Sequence, residues 1–599
     1  MMPPKTDPVT GEIIQNRLVQ IAQEAGLVLQ HCAVSPGVVE AKDLGFNIAD
    51  AEGRTIVYST WMPRHGTTLA YMLESCKQRF ERDIRPGDMY LVNDPHSGAL
   101  HSLDLAVIAP VFVDGILVAW VGNATHHIDV GAMSPGRAPL ATDWFQEGMI
   151  FRPVRLVQNG VIRSDIFEFF LDNVRMPRYQ ALDLKAQVSA NFTAADKVSA
   201  LVRKYGADIF QRTCDASLKI SEEAARERIQ TLREGRYEWT EHLDYDRAYE
   251  LHASLEVRDG ELHFDLAGTD AQSTTFINCA LPCAIANIHN ILACQLFPDL
   301  NVNAGIFLPV TIDIPSGTLL SCDAPAPCSG ASTITGWKAQ QLAMGVLSQA
   351  LVDTPLAYRA QSQWGWGFTD VQWTGRDRSG RPFIVRGDQT MHGGGGRALS
   401  DGIDVSNIAG STNTAITSVE SYEQRYPVLY LSRGIASDSA GAGQYRGGVA
   451  GEWSRVLYGI EEASDLSFYI GRDFGAAGFD GGTEGKPSYI SIKRNTDVLE
   501  RLKSRVPSFA ELEGDEEVLP QQPVGLDGVI RTGDVVYVRG MGGGGYGPPS
   551  RRDPDALRAD VRDGFVSPEQ AQAMYGGSPA GELTQSALNT NDDNGLGQS

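Results

Sequence analysis

The sequence predicts a mixed, multi-domain α+β fold, and three observations carry that reading. With 599 residues, the chain is longer than one ordinary core can serve, and about two to four domains are expected. Helical apolar stripes and strand-like apolar runs alternate through the first 351 residues. Beyond them the chain reads as strands separated by Gly-rich turns.

The elements follow in order. Ile13, Ile14, Leu18, Ile21, Ala25 and Val28 recur at helical spacing, with Thr10 as the expected N-cap. Strand-like pieces lie around Gly45 to Ala49 and Thr55 to Tyr58, and a helix is expected near Leu69 to Phe80. Leu105 to Val113 and Ile116 to Val121 are apolar and flank Asp114-Gly115, a strong two-residue turn signal, so this stretch reads as a β-hairpin. From about Ala194 to Glu234 the chain is rich in Ala, Glu, Lys and Arg and reads as helix, broken at Gly206. Strands are expected at Leu251 to Val257, Leu262 to Leu266 and Val310 to Ile314, with helices at Ala284 to Leu296 and Ala339 to Leu351. The division expected is an N-terminal domain over 1–235, a middle α+β domain over 236–345, a Gly-rich β domain over 346–576 and a disordered tail over 577–599.

Composition narrows the function classes. Hydrophobic residues at 42% and charged residues at 21% fit a soluble globular protein. A net charge of −23 argues against a nucleic-acid backbone as partner. There is no bilayer-length apolar run, and Met-Met-Pro-Pro-Lys-Thr-Asp lacks a signal-peptide core, so no membrane partner and a cytoplasmic location are expected. The eight cysteines are scattered; Cys279-x3-Cys283 and Cys322-x5-Cys328 lack the usual zinc spacing and read as buried thiols.

Histidine placement is the most informative feature. Four of the eleven histidines fall in Asn93-Asp94-Pro95-His96-Ser97-Gly98-Ala99-Leu100-His101-Ser102-Leu103-Asp104 and His126-His127-Ile128-Asp129-Val130-Gly131, the two ends of the hairpin. Closing the hairpin brings imidazoles and carboxylates together, a donor mixture suited to zinc, manganese or iron. A turn centred on Asp114-Gly115 sets Leu103 opposite His126 and Asp104 opposite Thr125. Regular alternation then puts Asp104 on the face away from His101 and His126, so the three meet only if residues 101–104 depart from extended strand. Asp94, His96, His127 and Asp129 remain supporting or acid/base candidates, and His65 stands in a polar turn that could join the same cleft.

His392-Gly393-Gly394-Gly395-Gly396 and Gly542 to Gly547 are dense glycine clusters. They permit anion binding in principle, yet neither matches a phosphate-binding loop, and tight inter-strand turns are the expected role. No nucleotide-binding motif is present.

The paired His/Asp motifs, together with Glu40-Ala41-Lys42-Asp43, Glu147-Gly148, Gly268-Thr269-Asp270, Ser439 to Gly448 and Gly542 to Gly547 in the same order, resemble the hydantoinase B/oxoprolinase family from about residue 8 to 576. The resemblance implies a subunit that works with a hydantoinase A-type ATPase, with α2β2 assembly as a family expectation. It implies a divalent metal (zinc or manganese) held by His101, Asp104 and His126, with ATP and magnesium at the partner. His127, Asp129 and His65 become the acid/base candidates. The family holds ATP-dependent cyclic amidases acting on lactams, hydantoins and oxoproline, and ketone carboxylases that use bicarbonate. An amidase is the favoured reading, a carboxylase the first alternative, and a structural subunit without chemistry of its own the second.

Overall fold

A computed structural model describes residues 7–58, 61–386, 391–406, 409, 416, 418–519 and 528–576. The expected tail over 577–599 lies outside the described residues. The architecture is multi-domain and mixed, with helices packed on several sheets.

The N-terminal part is built on a seven-stranded sheet of order β2-β1-β5-β4-β3-β6-β7. Its strands are β1 (Leu44–Asp50), β2 (Thr55–Val57), β3 (Met89–Val92), β4 (Asp104–Val113), β5 (Ile116–His126), β6 (Val154–Gln158) and β7 (Val161–Ile162). Two long helices, α1 (Pro8–Cys32) and α2 (Pro177–Tyr205), cover one face, and α3 (Ala207–Ile229) follows α2 after Gly206. Helix Arg64–Phe80 covers the other face. The sheet's apolar residues therefore sort by parity. Leu105, Val107, Ala109 and Val111 face α1 and α2, while Ala106, Ile108 and Ala124 face helix Arg64–Phe80.

Three expectations are corrected here. Asp7, not Thr10, caps α1, its side chain accepting from the Thr10 N–H. Helices α2 and α3 together begin at Pro177, well before Ala194, and end at Ile229; polar residues on the buried face of α2 hid its start. The hairpin register is one residue off the expected one, because Val111 pairs with Ala119 but Phe112 with Leu117, leaving Val118 as a β-bulge. The turn itself is as read, with Asp114 and Gly115 both at positive φ (52° and 80°). Beyond the bulge, Asp104 sits directly opposite His126 rather than Thr125.

The middle part wraps a four-stranded sheet, β8 (Gly235–Asp244), β9 (Ala248–Arg258), β10 (Glu261–Asp265) and β11 (Val310–Asp313), around the apolar helices Leu281–Ile291 and Thr335–Leu351. The C-terminal part carries a five-stranded, a four-stranded and a two-stranded sheet.

Apart from Gly547, at φ 70°, the two glycine clusters are not turns. Gly393–Gly396 and Gly542–Gly545 avoid positive φ and run as extended chain through a layered core. Gly393 N–H donates to Met541 O (2.9 Å), Gly448 N–H to Gly394 O (2.7 Å), Gly543 N–H to Gly448 O (3.0 Å) and Gly396 N–H to Gly544 O (2.8 Å). Glycine is required because neighbouring backbones pass where a Cβ would stand. With these N–H groups spent on internal carbonyls, the clusters offer no cradle for a phosphate.

No helix among the described residues is long and apolar enough to cross a membrane.

Candidate metal centre

The centre is a row across three adjacent strands. Register sets Asp104 of β4 opposite His126 of β5, and Leu44 of β1 opposite Thr125. Asp43, one residue before β1, takes the His126 N–H on its carbonyl (3.2 Å). All three residues share the parity of the face covered by helix Arg64–Phe80. His101 reaches them from a turn closed by the Asp104 N–H on His101 O (3.0 Å), so residues 101–103 are not strand.

His101, Asp104 and His126 each present a donor atom, all within 4.8 Å of one another. Asp104 Oδ1 is 3.4 Å from His101 Nε2 and 3.2 Å from His126 Nδ1. Asp104 Oδ2 and His101 Nδ1 are buried without hydrogen-bond partners. A buried carboxylate oxygen with no protein donor, set between two imidazoles, fits a divalent cation better than a closed hydrogen-bond network. Burial holds His101 well below its ordinary pKa, against the pull of Asp104. Burial alone would raise Asp104, but His101, the contact with His126 and His65 hold it below the usual carboxylate range. Both shifts favour the ligating forms, neutral imidazole and carboxylate.

The lead-in depends on local geometry. Asn93 Nδ2 donates to Ser102 O (2.6 Å) and Met149 O (2.9 Å), pinning the loop. Gly98, at φ 133°, passes so near helix Arg64–Phe80 that a Cβ would lie 2.7 Å from Met72 N. Asp94 caps its own loop, accepting from His96 N (3.1 Å) and Ser97 Oγ (2.7 Å), and His96 packs edge-on against Trp144. Neither joins the cluster.

His127 and Asp129 point elsewhere. His127 follows His126 and has opposite parity, so it faces α2. Its Nδ1 is 2.5 Å from Gln180 Oε1 and its Nε2 is 3.0 Å from Gln187 Oε1. With both nitrogens held against amide oxygens on the α2 side, the ring stands outside the His101, Asp104 and His126 cluster. Asp129 is buried and accepts from Arg175 N (2.7 Å) and Arg175 Nη1 (2.8 Å). His65 lies next to Asp43: it is buried, its nitrogens have no hydrogen-bond partner, and Nε2 is 3.6 Å from Asp43 Oδ1.

Two nearby groups escaped the sequence reading as site residues. Burial would raise the Asp43 carboxyl, yet His65 and then His126 hold it low; its only signal was its place in Glu40-Ala41-Lys42-Asp43. Arg64 is buried beside His65 and donates from Nη1 to Ser332 O (2.6 Å), tying the centre to the middle part. Among the described residues no cysteine joins a group with metal-site spacing. Cys279, Cys283, Cys322 and Cys328 are buried thiols as expected, whereas Cys32 and Cys294 are exposed.

Glu147 lies against the lead-in loop, its backbone carbonyl accepting from Ser102 Oγ (3.1 Å). Its carboxylate accepts from Cys328 N (2.8 Å) and Ser329 N (2.6 Å), while burial lifts its pKa from 4.5 to about 7 against those bonds. A carboxyl raised on folding stabilises fully below the unfolded value and loses that contribution as pH rises through the folded one. The unfolding free energy of wild type relative to Glu147→Gln should therefore fall as pH rises from 4.5 to 7. The full change is about 3 kcal/mol at most, from 1.36 kcal/mol per pKa unit. Denaturant titrations across that range check it, and a flat difference would refute it.

The chain is similar to known proteins along nearly its whole length. Caprolactamase subunit beta of Pseudomonas jessenii is 28% identical, over 95% of this chain and 96% of that one. The acetophenone carboxylase delta subunit of Aromatoleum aromaticum is 26% identical, over 95% and 86%. The crystal structure of the ATP-dependent caprolactamase from P. jessenii superposes with a TM-score of 0.86 at 25% identity, over 98% of this chain and 99% of that one. Residues 7–549 match the Hydantoinase B/oxoprolinase family, and the chain belongs to that family.

Proposed function

We propose that this chain is the metal-holding subunit of an ATP-dependent cyclic amide hydrolase. It would act on lactam, hydantoin or oxoproline rings that a hydantoinase A-type partner has phosphorylated, in an α2β2 assembly. The observation that carries the reading is the nearly end-to-end likeness to caprolactamase, in sequence and in fold. The glycine clusters support the division of labour, since most of their N–H groups are spent on internal carbonyls.

His101, Asp104 and His126 would hold the ion, and nitrogen with carboxylate oxygen suits zinc or manganese. When bound, such an ion polarises a carbonyl or phosphoryl oxygen and acidifies water. His65 is the group placed to take or give a proton, because its nitrogens are unspent and Asp43 lies within 3.6 Å to orient it. Arg64 adds fixed positive charge near Asp43 and Asp104.

The likeness to an acetophenone carboxylase subunit favours one second reading, a ketone carboxylase subunit using bicarbonate. The test is co-purification with the ATPase partner and assay of ATP-dependent turnover on lactams, hydantoins and ketones, with and without bicarbonate. Ring opening independent of bicarbonate is expected. A carboxylated ketone formed only with bicarbonate would replace the amidase reading, and a metal-free yet fully active complex would leave a structural subunit.

A further inference from the structure

Helix α2 carries an anomaly that the proposed chemistry does not use. Gln180, Leu184, Gln187, Asn191, Ala194 and Val198 form one stripe at helical spacing, and all are buried against the sheet. A core helix normally fills such positions with apolar side chains. A buried amide left unpaired costs about 1–3 kcal/mol, so amides there need partners supplied by one fixed docking register.

The partners are all present. Gln187 Nε2 donates to Leu105 O (2.8 Å) and Gln180 Nε2 to Asp129 O (2.5 Å), which turns both amide oxygens onto the His127 ring. Asn191 Nδ2 donates to Val107 O (2.8 Å), and Asn191 Oδ1 accepts from Asn123 Nδ2 (2.8 Å). The His127 backbone N–H donates to Leu103 O (2.8 Å). Leu103 and Leu105 bracket Asp104, and His127 follows His126. The two glutamines thus grip the neighbours of two candidate ligands from the opposite face of the sheet, while Asn191 grips the hairpin farther from the centre.

We infer that Gln180 and Gln187 are positioning residues of the metal centre, acting through His127 to set where His126 stands relative to Asp104. The inference rests on the metal reading proposed above. It makes His127 the fixed post of the site rather than its base.

The test uses the full chain, manganese(II) as probe, and three variants: Gln187→Met, Gln180→Met and Asn191→Leu. Free manganese is read by electron paramagnetic resonance, the bound-ion line shape is recorded, and thermal unfolding is followed in parallel. The two glutamine variants should bind the ion more weakly, by up to the roughly 10- to 100-fold that loss of a ligand's direct outer partner costs. They should also broaden the bound-ion spectrum. Asn191→Leu, which loses comparable hydrogen bonds, should lose thermal stability but keep its affinity within about twofold. If Gln187→Met does not fold, Gln180→Met at the helix start makes the same comparison. Equal weakening in the glutamine and asparagine variants, or none in any, overturns the inference and leaves the metal reading standing. Failure of the wild-type chain to bind manganese or zinc would instead refute the metal reading, and the inference with it.

Discussion

Gly543→Ala should yield little or no folded protein. The added methyl has nowhere to go: it meets the Gly394 carbonyl, and that carbonyl already accepts the Gly448 N–H. Relief would have to move backbone, which is far stiffer than a side-chain tip, in a layer where Gly393, Gly447, Gly448 and Gly544 are equally hemmed in. Overpacking of this kind costs about 1–3 kcal/mol where side chains can yield. Here they cannot, and a loss above about 4 kcal/mol is expected, in the rare severe class of single substitutions. The matched control is Gly564→Ala. Gly564 has φ 80° but nothing within 4 Å of the added methyl, so only backbone strain of about 1 kcal/mol applies. Soluble yield and chemical denaturation measure both. A Gly543→Ala protein as stable as the Gly564→Ala protein would show that the layered core is looser than described.

Asp104→Ala carries the second large effect. Asp104 lies within 3.4 Å of both imidazoles, so its loss removes an oxygen donor from between two rings whose centres are 4.9 Å apart. Metal retained after dialysis should fall below about a tenth of an equivalent, and turnover in the assembled complex by ~10³ or more, as for loss of Lewis-acid and nucleophile activation together. Elemental analysis gives the first and the partnered assay the second. Stability should follow the charge as well. The Asp104 carboxyl is depressed on folding, so the stability it supplies is present above the ordinary carboxylate range and is lost as pH falls through the depressed value. The metal-free variant should therefore be less stable than metal-free wild type at neutral pH, with the gap closing in acid. Stoichiometric metal in Asp104→Ala would remove this residue from the ligand set.

These outcomes also mark how much could be read before the fold was known. The Asp114-Gly115 hairpin and the helices near Leu69 to Phe80 and Ala339 to Leu351 were legible because local chemistry decides them. Spacing placed the His/Asp motifs at the two hairpin ends, but the choice of His101, Asp104 and His126 came from resemblance. Val118 explains why, since nothing in an apolar run announces which residue will bulge. Asp43 and Arg64 were out of reach for a different reason. They enter through the pairing of β1 with β5 and the packing of helix Arg64–Phe80 on the sheet, contacts of long sequence separation. The glycine clusters were visible but misread, because positive φ and close backbone approach select the same residue. The start of α2 was missed because amides on a core stripe look like solvent-facing polarity until their partners are known.

The bulge at Val118 also governs how this hairpin can change length over evolutionary time. Between Asp104 and His126 the chain counts parity, and a single inserted or deleted residue on either arm exchanges inside for outside along all that follows it. Tolerated length variation is thus confined to the tip beyond the bulge, or to compensated pairs of changes on both arms. A second unmatched change would carry His126 to the α2 side and bring His127 round in its place, a donor swap that leaves composition untouched.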